Sequence, residues 1–379
     1  MPDKNRNTKV ALGLSGGVDS AVSAYLLKQQ GYDVAAVYIQ CWSMPGCRSE
    51  QDRQDALKVA VKLKIPFQVL DFKQEYKEKV MAYFVEEYKA GRTPNPDVLC
   101  NQVIKFGMFY DWAINEKFNY IATGHYAQTD NLQIKNTATP ALLSARDLQK
   151  DQTYFLHQIN QKQLNRVMFP IGHLLKKEVR ELAHNINLHV ADKRDSVGIC
   201  FVGDINVHAF LKEKLGENPG DVITIDGDKI GTHLGLWFYT IGQRKGFSIN
   251  TNKVKEKTSW IDKSGNLPSL YVIKKNPEKN QLVVGPRPQT ETKKFTINKL
   301  HKINPKIDWD KLKLKVRIRH TGKLVDCLIK RKDKEIMVTT KQSLQGIANG
   351  QFAVFYTQAT QFDQTQKAQY ICLGGGTII

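Results

Sequence analysis

Apolar and polar positions divide this chain into two textures. In the first half, short apolar runs alternate with amphipathic ones. KVALGL at 9–14 is a run of strand length, and residues 21–30 then carry apolar positions at helical spacing up to Gly31. Strand-like runs recur at 34–39, 67–70 and 120–123, and helical patterns at 50–63, 76–88 and 176–185. Strands separated by helices predict βαβ units in a parallel sheet, with ligands at the carboxyl ends of its strands. After Asp204 the texture changes. Beyond one helical piece at 207–215, the runs DVITI, LWFYTI, LYVIKK and QLVVG lie between Gly, Asn and Pro turns, which predicts strands. From about 293 to the end, KLKVRIRH, VDCLIK, KEIMVTT and GQFAVFY predict a small barrel whose lysines and arginines suit nucleic acid. The polar stretch 276–280, with Pro277, is expected to be a linker. The expected division is an α/β domain with a parallel sheet over 1–204, a central β-rich domain over 205–280 and a C-terminal β-barrel over 281–379.

Composition sharpens this in two ways. A length of 379 residues suits two or three domains, and the excess of 56 Lys+Arg over 37 Asp+Glu, +19, suggests a polyanionic partner. No apolar run is long enough to span a membrane, and the polar start MPDKNRNTKV resembles neither a signal peptide nor an Arg- and Ser-rich leader. A cytoplasmic setting is therefore expected. The six cysteines include no CxxC pair, which fits a reducing compartment and leaves each one a buried small hydrophobe or a reactive thiol. Cys41 and Cys47 have no His or Cys at ligand spacing, so no metal site is expected.

The chemistry starts at SGGVDS, between the first strand and the first helix. Its glycines let backbone N–H groups approach an anion, Ser15 and Ser20 add hydroxyls, and the following helix turns its positive end to a phosphate. The loop lacks the lysine that grips a terminal phosphate in a P-loop. Asp19 could instead bear on Mg²⁺ at a pyrophosphate. Such a set suits cleavage between the α- and β-phosphates, and the SGGxDS pattern resembles the PP-loop ATP pyrophosphatases, which adenylate an acceptor oxygen.

Two cysteines stand in contexts that fit nucleophiles. TPNPDVLCNQVIKFG places Asp97 and Cys100 between a proline-locked turn and a helical run, where a thiolate near a helix start is favoured. ADKRDSVGICFVGD places Cys200 after Gly198, with Lys193 and Arg194 upstream. An adenylated carbonyl needs a nucleophile, and a thiol can carry transferable sulfur as a persulfide that a second thiol releases.

These features, with EEYKAGRTPNPDVLCN, YIATGHYA, KDQTYFL, DSVGICF, FYTIGQRKG and ICLGGGTI in order along nearly the whole chain, closely resemble the bacterial tRNA-specific 2-thiouridylases. The resemblance implies ATP-dependent thiolation of the wobble uridine of tRNA, on tRNAs for Lys, Glu and Gln. It implies Mg²⁺-ATP as substrate and sulfur delivered as a persulfide by a cysteine desulfurase or a relay carrier; a monomer is the default. It assigns ATP binding to Gly13, Leu14, Ser15, Gly16, Gly17, Val18, Asp19 and Ser20, with Ile39 lining the adenine and Gly124 also on the nucleotide. Cys200 matches the persulfide carrier, Cys100 its partner nucleophile and Asp97 a general acid/base. Contacts with tRNA fall on Asn95, Pro96, Asp97, His125, Lys150, Asp151, Gln152, Arg319, His320 and Gln351. The sequence departs from the family pattern at Cys41 and Val197, where Asn and Gln are usual, and at Ala348 and Asn349, which replace Thr-Pro; none of these removes a reacting group. Two other readings are compatible with parts of the pattern. An amidotransferase-like ligase would use the same loop but has no use for the two thiols, and a non-catalytic tRNA-binding protein would make no AMP.

Overall fold

The computed structural model describes residues 5–42, 48–134, 137–195, 206–262, 264–362 and 369–379. Strand β1 (Lys9–Gly13) leads through the glycine loop into helix α1 (Val18–Gln29). Strand β2 (Asp33–Gln40), helix α2 (Ser49–Leu63), strand β3 (Phe67–Asp71) and strand β4 (Tyr120–Thr123) follow. A hairpin of β5 (Ala127–Ile134) and β6 (Thr137–Ser144) then precedes the short strand β7 (Val167–Met168). Five of these form one parallel sheet in the order β3-β2-β1-β4-β7. Period-two alternation sends successive side chains to two different cores. Val10, Leu12, Val34 and Ala36 pack with α1 and α2, whereas Ala11, Val37 and Ile39 pack with Tyr76, Phe84, Ile104 and Phe109 from the helical stretches 73–89 and 96–115. Burial on both faces is why these strands read as continuous apolar runs.

The expected α/β domain followed by two β-rich parts is what the chain forms. The central part holds a five-stranded sheet built from Gly220–Ile223, Lys229–His233, Ser248–Ile249, Leu270–Asn276 and Gln281–Pro286. Two expectations are corrected there. LWFYTI is not a strand but carries a 3₁₀ turn at Leu236–Phe238, entered through Gly235 at φ 150°. The stretch 276–280 is not a linker but the turn of an antiparallel hairpin, with Asn276 opposite Gln281 and Asn280 at φ 50°. Polarity marked it as a connection, and only pairing shows that it closes a hairpin.

The C-terminal part is an antiparallel barrel of six strands from Glu291–Lys302 to Tyr370–Ile378, closed by pairing of the first with the last. Its core is Phe295, Ile297, Trp309, Val316, Val338, Phe355 and Leu373. The β5–β6 hairpin, although early in the chain, extends this sheet: Leu142 and Leu143 of β6 lie opposite Cys372 and Ile371. The first and last parts of the chain are thus joined by backbone hydrogen bonds. Among the described residues no helix is long and apolar enough to cross a membrane.

Candidate active site

The glycine loop sits at the carboxyl end of the parallel sheet. Leu14 N–H donates to Val37 O at 2.9 Å, which ties the start of the loop to β2. The Ser20 hydroxyl accepts from Ser15 N–H at 3.1 Å, lies 3.1 Å from Ser15 Oγ and donates to Gly17 O, so the two serines brace the turn from inside. Gly17 is the N-cap residue of α1 and no side chain caps the helix, which leaves first-turn N–H groups for an anion. Two glycines are required by space. Gly16 has φ +76°, and a Cβ on it would lie 2.1 Å from Asp52 O; a Cβ on Gly124 would lie 2.7 Å from Ser20 N. Gly124, just beyond β4, therefore abuts the start of α1. The side chains of Leu14, Val18 and Ile39 point into the core, the last near the end of β2.

Charge around the loop comes from far along the chain. Asp19 Oδ1 accepts from Tyr126 Oη at 2.9 Å and from Lys176 Nζ at 2.8 Å, and Lys176 also reaches Asp19 Oδ2 at 2.9 Å. Lys176 lies 2.8 Å from Asp195 Oδ1 as well, and Asp195 is shared with Lys150 at 2.7 Å and Arg180 at 2.9 Å. Partial burial opposes ionisation of Asp195, yet bonds from Lys150 and Lys176 hold its carboxyl down at about 2. Burial raises the Tyr126 phenol, and the neighbouring Asp19 carboxylate raises it further, so Tyr126 stays a donor. Lys193 has a different task. Its Nζ donates to Gly16 O at 2.9 Å, Asp52 Oδ1 at 2.7 Å and Asp55 Oδ2 at 2.6 Å, fixing the outer side of the loop. Sequence reasoning missed Tyr126, Lys176, Arg180 and Asp195, and gave Lys193 no role at the loop. Lys176 had one visible trace, as the first residue of an expected helix.

The expected RNA contacts fall into three groups. Lys150 and Gln152 belong to the loop's surroundings: Lys150 through Asp195, and Gln152 through its Oε1, which accepts from Tyr126 N–H at 2.9 Å. Next to them His125 is buried, with Nδ1 2.8 Å from Thr123 Oγ1 and Nε2 3.4 Å from Lys105 Nζ, between Phe106 and Phe169. Burial first, and Lys105 second, push its pKa well down, so the ring is neutral.

Asn95, Pro96, Asp97 and Gln351 form the second group, across the first and last parts of the chain. Asn95 caps the helix Pro96–Cys100 by accepting from Val98 N–H at 3.2 Å, and its Nδ2 donates to Gln351 Oε1 at 3.3 Å. Gln351 Nε2 donates to Pro94 O at 3.1 Å, and Thr93 N–H donates to Asn349 O at 2.7 Å. Cys100 is the fifth residue of the helical stretch that starts at Pro96 and runs on through Asn101–Met108, and is fully buried in the core that also takes Ile39 and Cys41. Cys200, its expected partner, and Val197 lie outside the described residues, as does Cys47.

The third group is on the barrel. Arg319 is exposed, whereas His320 lies against Phe155, the two rings tilted with centroids 4.4 Å apart. Burial, then Arg317 and Lys150, lower His320 to about 4, so it brings no charge to a phosphate at neutral pH. Asp151, the remaining expected contact of this stretch, lies inside the fold. It is 2% exposed, and its carboxylate accepts from Ala145 N–H, Thr153 Oγ1 and Arg317. Its half-buried neighbours in KDQ turn to Asp195 and Tyr126, whereas Asp151 points inward to Arg317. Among the described residues no group of three His, Cys, Asp or Glu side chains could hold a metal ion.

Three family models match the chain in succession: a "tRNA methyl transferase HUP domain" over residues 8–204, a "tRNA methyl transferase PRC-barrel domain" over 208–286 and an "Aminomethyltransferase beta-barrel domain" over 292–378. A protein of Ligilactobacillus salivarius named tRNA-specific 2-thiouridylase MnmA is 41% identical, covering 100% of this chain and 96% of that one. Proteins of the same name from Blochmanniella floridana and Bacillus velezensis are 41% and 39% identical, over 98% and 100% of this chain and 96% of each relative.

Proposed function

The chain belongs to the tRNA-specific 2-thiouridylase family, tRNA-uridine 2-sulfurtransferases, and from this we propose that it uses ATP to replace the 2-oxygen of a tRNA wobble uridine with sulfur. The observation that carries the reading is the loop. Its glycines let the turn pack against Asp52 and the start of α1 where a Cβ would not fit, its helix amides are uncapped, and Tyr126 and Lys176 converge on Asp19. Such a cradle fits the phosphates of ATP, and Asp19 is the residue that would bear on the Mg²⁺ they carry.

In this reaction the RNA is held by the Asn95–Asp97 turn, Gln351 and the basic barrel surface with Arg319, and the base is turned out of its stack toward His125. The 2-oxygen attacks the α-phosphorus, and pyrophosphate leaves. Adenylation makes that oxygen a good leaving group. The terminal sulfur of a Cys200 persulfide attacks C2, and AMP leaves with the former 2-oxygen. The Cys100 thiolate attacks the Cys200 sulfur, which breaks the S–S bond and leaves the new sulfur on the base. The Cys100–Cys200 disulfide must then take two electrons from a reductant before another turn. Asp97 relays the protons. The sulfur comes from a cysteine desulfurase or a relay carrier in the cytoplasm, and the tRNAs for Lys, Glu and Gln are the substrates.

A single-turnover incubation with Mg²⁺-ATP, a cysteine desulfurase with cysteine as the persulfide source and unmodified tRNA tests this, with nucleosides analysed by mass and with Cys200→Ser alongside. The expected result is one AMP per 2-thiouridine, with no thiouridine from the variant. AMP without sulfur in the RNA would move the acceptor elsewhere, and no AMP at all would remove the enzymatic reading.

A further inference from the structure

We infer that Lys176 is the residue that grips the nucleotide's polyphosphate, supplying from a distant helix the cation that the glycine loop itself lacks. The inference rests on the reading of this loop as an ATP site and adds a residue to it. The loop offers amides and hydroxyls but no positive side chain between Gly13 and Ser20. A triphosphate needs more than amides, because its charge must be balanced as pyrophosphate departs. Two lysines come close from elsewhere, and the structure separates their roles. Lys193 is bound to two carboxylates and to Gly16 O, so its charge is spent on holding the loop's shape.

Lys176 is placed differently. Its Nζ lies 2.8 Å from Asp19, the second residue of α1, and 5.7 Å from the centroid of the Tyr126 ring. The local backbone delivers it with little freedom. Asp147 Oδ2 accepts from Lys176 N–H at 3.0 Å, and Glu178 Oε2 accepts from Leu175 N–H at 2.7 Å, pinning the first turn of the helix Lys176–Asn185. Its side chain is only 12% exposed, so it is held beside the loop rather than sweeping through solvent. Its carboxylate partners leave it room to act. Asp195 is also served by Lys150 and Arg180, so three cations face the two carboxylates Asp19 and Asp195. Lys176 can turn a donor to phosphate without leaving Asp195 unpaired. Lys176 contributes charge and hydrogen bonds and transfers nothing.

Titration of the full-length protein with ATP, inorganic pyrophosphate and AMP tests this apart from the underlying reading. Lys176→Met is expected to weaken ATP and pyrophosphate about tenfold or more, as loss of a charge-assisted contact does, and to leave AMP within about twofold. Lys176→Arg recovers most of the loss, an outcome that a purely structural role would not tie to the number of phosphates. A wild-type protein that binds neither ATP nor pyrophosphate overturns the ATP-site reading itself. Wild-type binding with Lys176→Met unchanged toward ATP and pyrophosphate overturns the role of Lys176 alone, as does an equal loss for AMP. If Lys176→Met melts below the assay temperature, amine labelling of the wild-type protein decides. Pyrophosphate should shield Lys176 from the label and AMP should not, and equal labelling with both ligands overturns the assignment.

Discussion

Asp151 Oδ2 lies 3.3 Å from Arg317 Nη1, a buried ion pair that joins the segment after the β5–β6 hairpin to the C-terminal barrel. The same carboxylate accepts from Ala145 N–H and Thr153 Oγ1, while the Arg317 guanidinium lies 5.4 Å from the centroid of the Tyr356 ring. Burial raises the Asp151 carboxyl, and the bonds from Ala145 and Thr153 with the charge of Arg317 offset only part of this. Removing one partner of such a pair strands the other. Asp151→Ala should therefore cost about 3–5 kcal/mol, and Asp151→Ala with Arg317→Met distinctly less than the two single losses combined. Urea unfolding of the three variants measures this. Strictly additive losses would show that the two side chains are not coupled.

Loop glycines should be intolerant for a reason of space. In Gly16→Ala a Cβ would meet Asp52 O while the backbone stays at φ +76°; in Gly124→Ala it would meet Ser20 N. Each is expected to lower AMP formation about a hundredfold, about 2.7 kcal/mol, with the melting temperature of the barrel little changed. Gly265, where an added Cβ would meet nothing within 4 Å, serves as the comparison, since Gly265→Asn should leave AMP formation as it is. A Gly16→Ala enzyme with ordinary turnover would show that the loop reshapes freely.

Lys193 should act on the loop through structure. Lys193→Met leaves Asp52 and Asp55 facing each other, with the Asp55 side chain only 10% exposed, and frees Gly16 O. A loss of about 3 kcal/mol in stability at pH 7 is expected, and Asp55→Asn in the same background should return part of it. Thermal melting at pH 7 reads both steps. No change on Lys193→Met would mean that the three contacts at Lys193 do not hold the loop.

Acid should weaken the fold through buried imidazoles before it reaches the carboxylates. His157 is fully buried, with Nδ1 2.7 Å from Tyr154 O, and burial lowers it to about 4. A folded pKa below the unfolded 6.5 means that its contribution is complete above about pH 6.5 and drains as pH falls toward 4. By pH 5 this amounts to about 2 kcal/mol from His157. Asp195, held at about 2, loses its contribution only at lower pH, so the two windows separate. Unfolding measured at pH 7 and pH 5 should therefore show a shallower dependence in His157→Gln than in the wild-type protein. Equal slopes would place the acid sensitivity on other groups.

Much of the site was legible in the sequence where it depends on the local backbone. SGGVDS between an apolar run and a helical one marked both the loop and its place at a strand's carboxyl end, because glycine freedom and helix amides need no distant partner. TPNPDVLCNQVIKFG marked a proline-locked turn before a helical run for the same reason, and the helix does start at Pro96. The hairpin β5–β6 was not legible. Its strands are not among those expected from the sequence, and β6 is paired with Tyr370–Ile378, from the far end of the chain. Nor could a motif show that Asp151 turns inward while Lys150 beside it turns to Asp195.

The strand–helix alternation of the α/β part, the glycine turn after β1 and the residue types in it follow from the chain alone. These are local properties, set by side-chain period and by the conformational range of glycine and proline. The electrostatics required the fold. Lys176 reaches Asp19 across 157 positions and Lys193 reaches Gly16 across 177, and no spacing rule predicts such pairs. Charge acts through space over a few ångströms, so the cation that completes the loop is chosen by how helices pack on the sheet, not by what adjoins it in the chain.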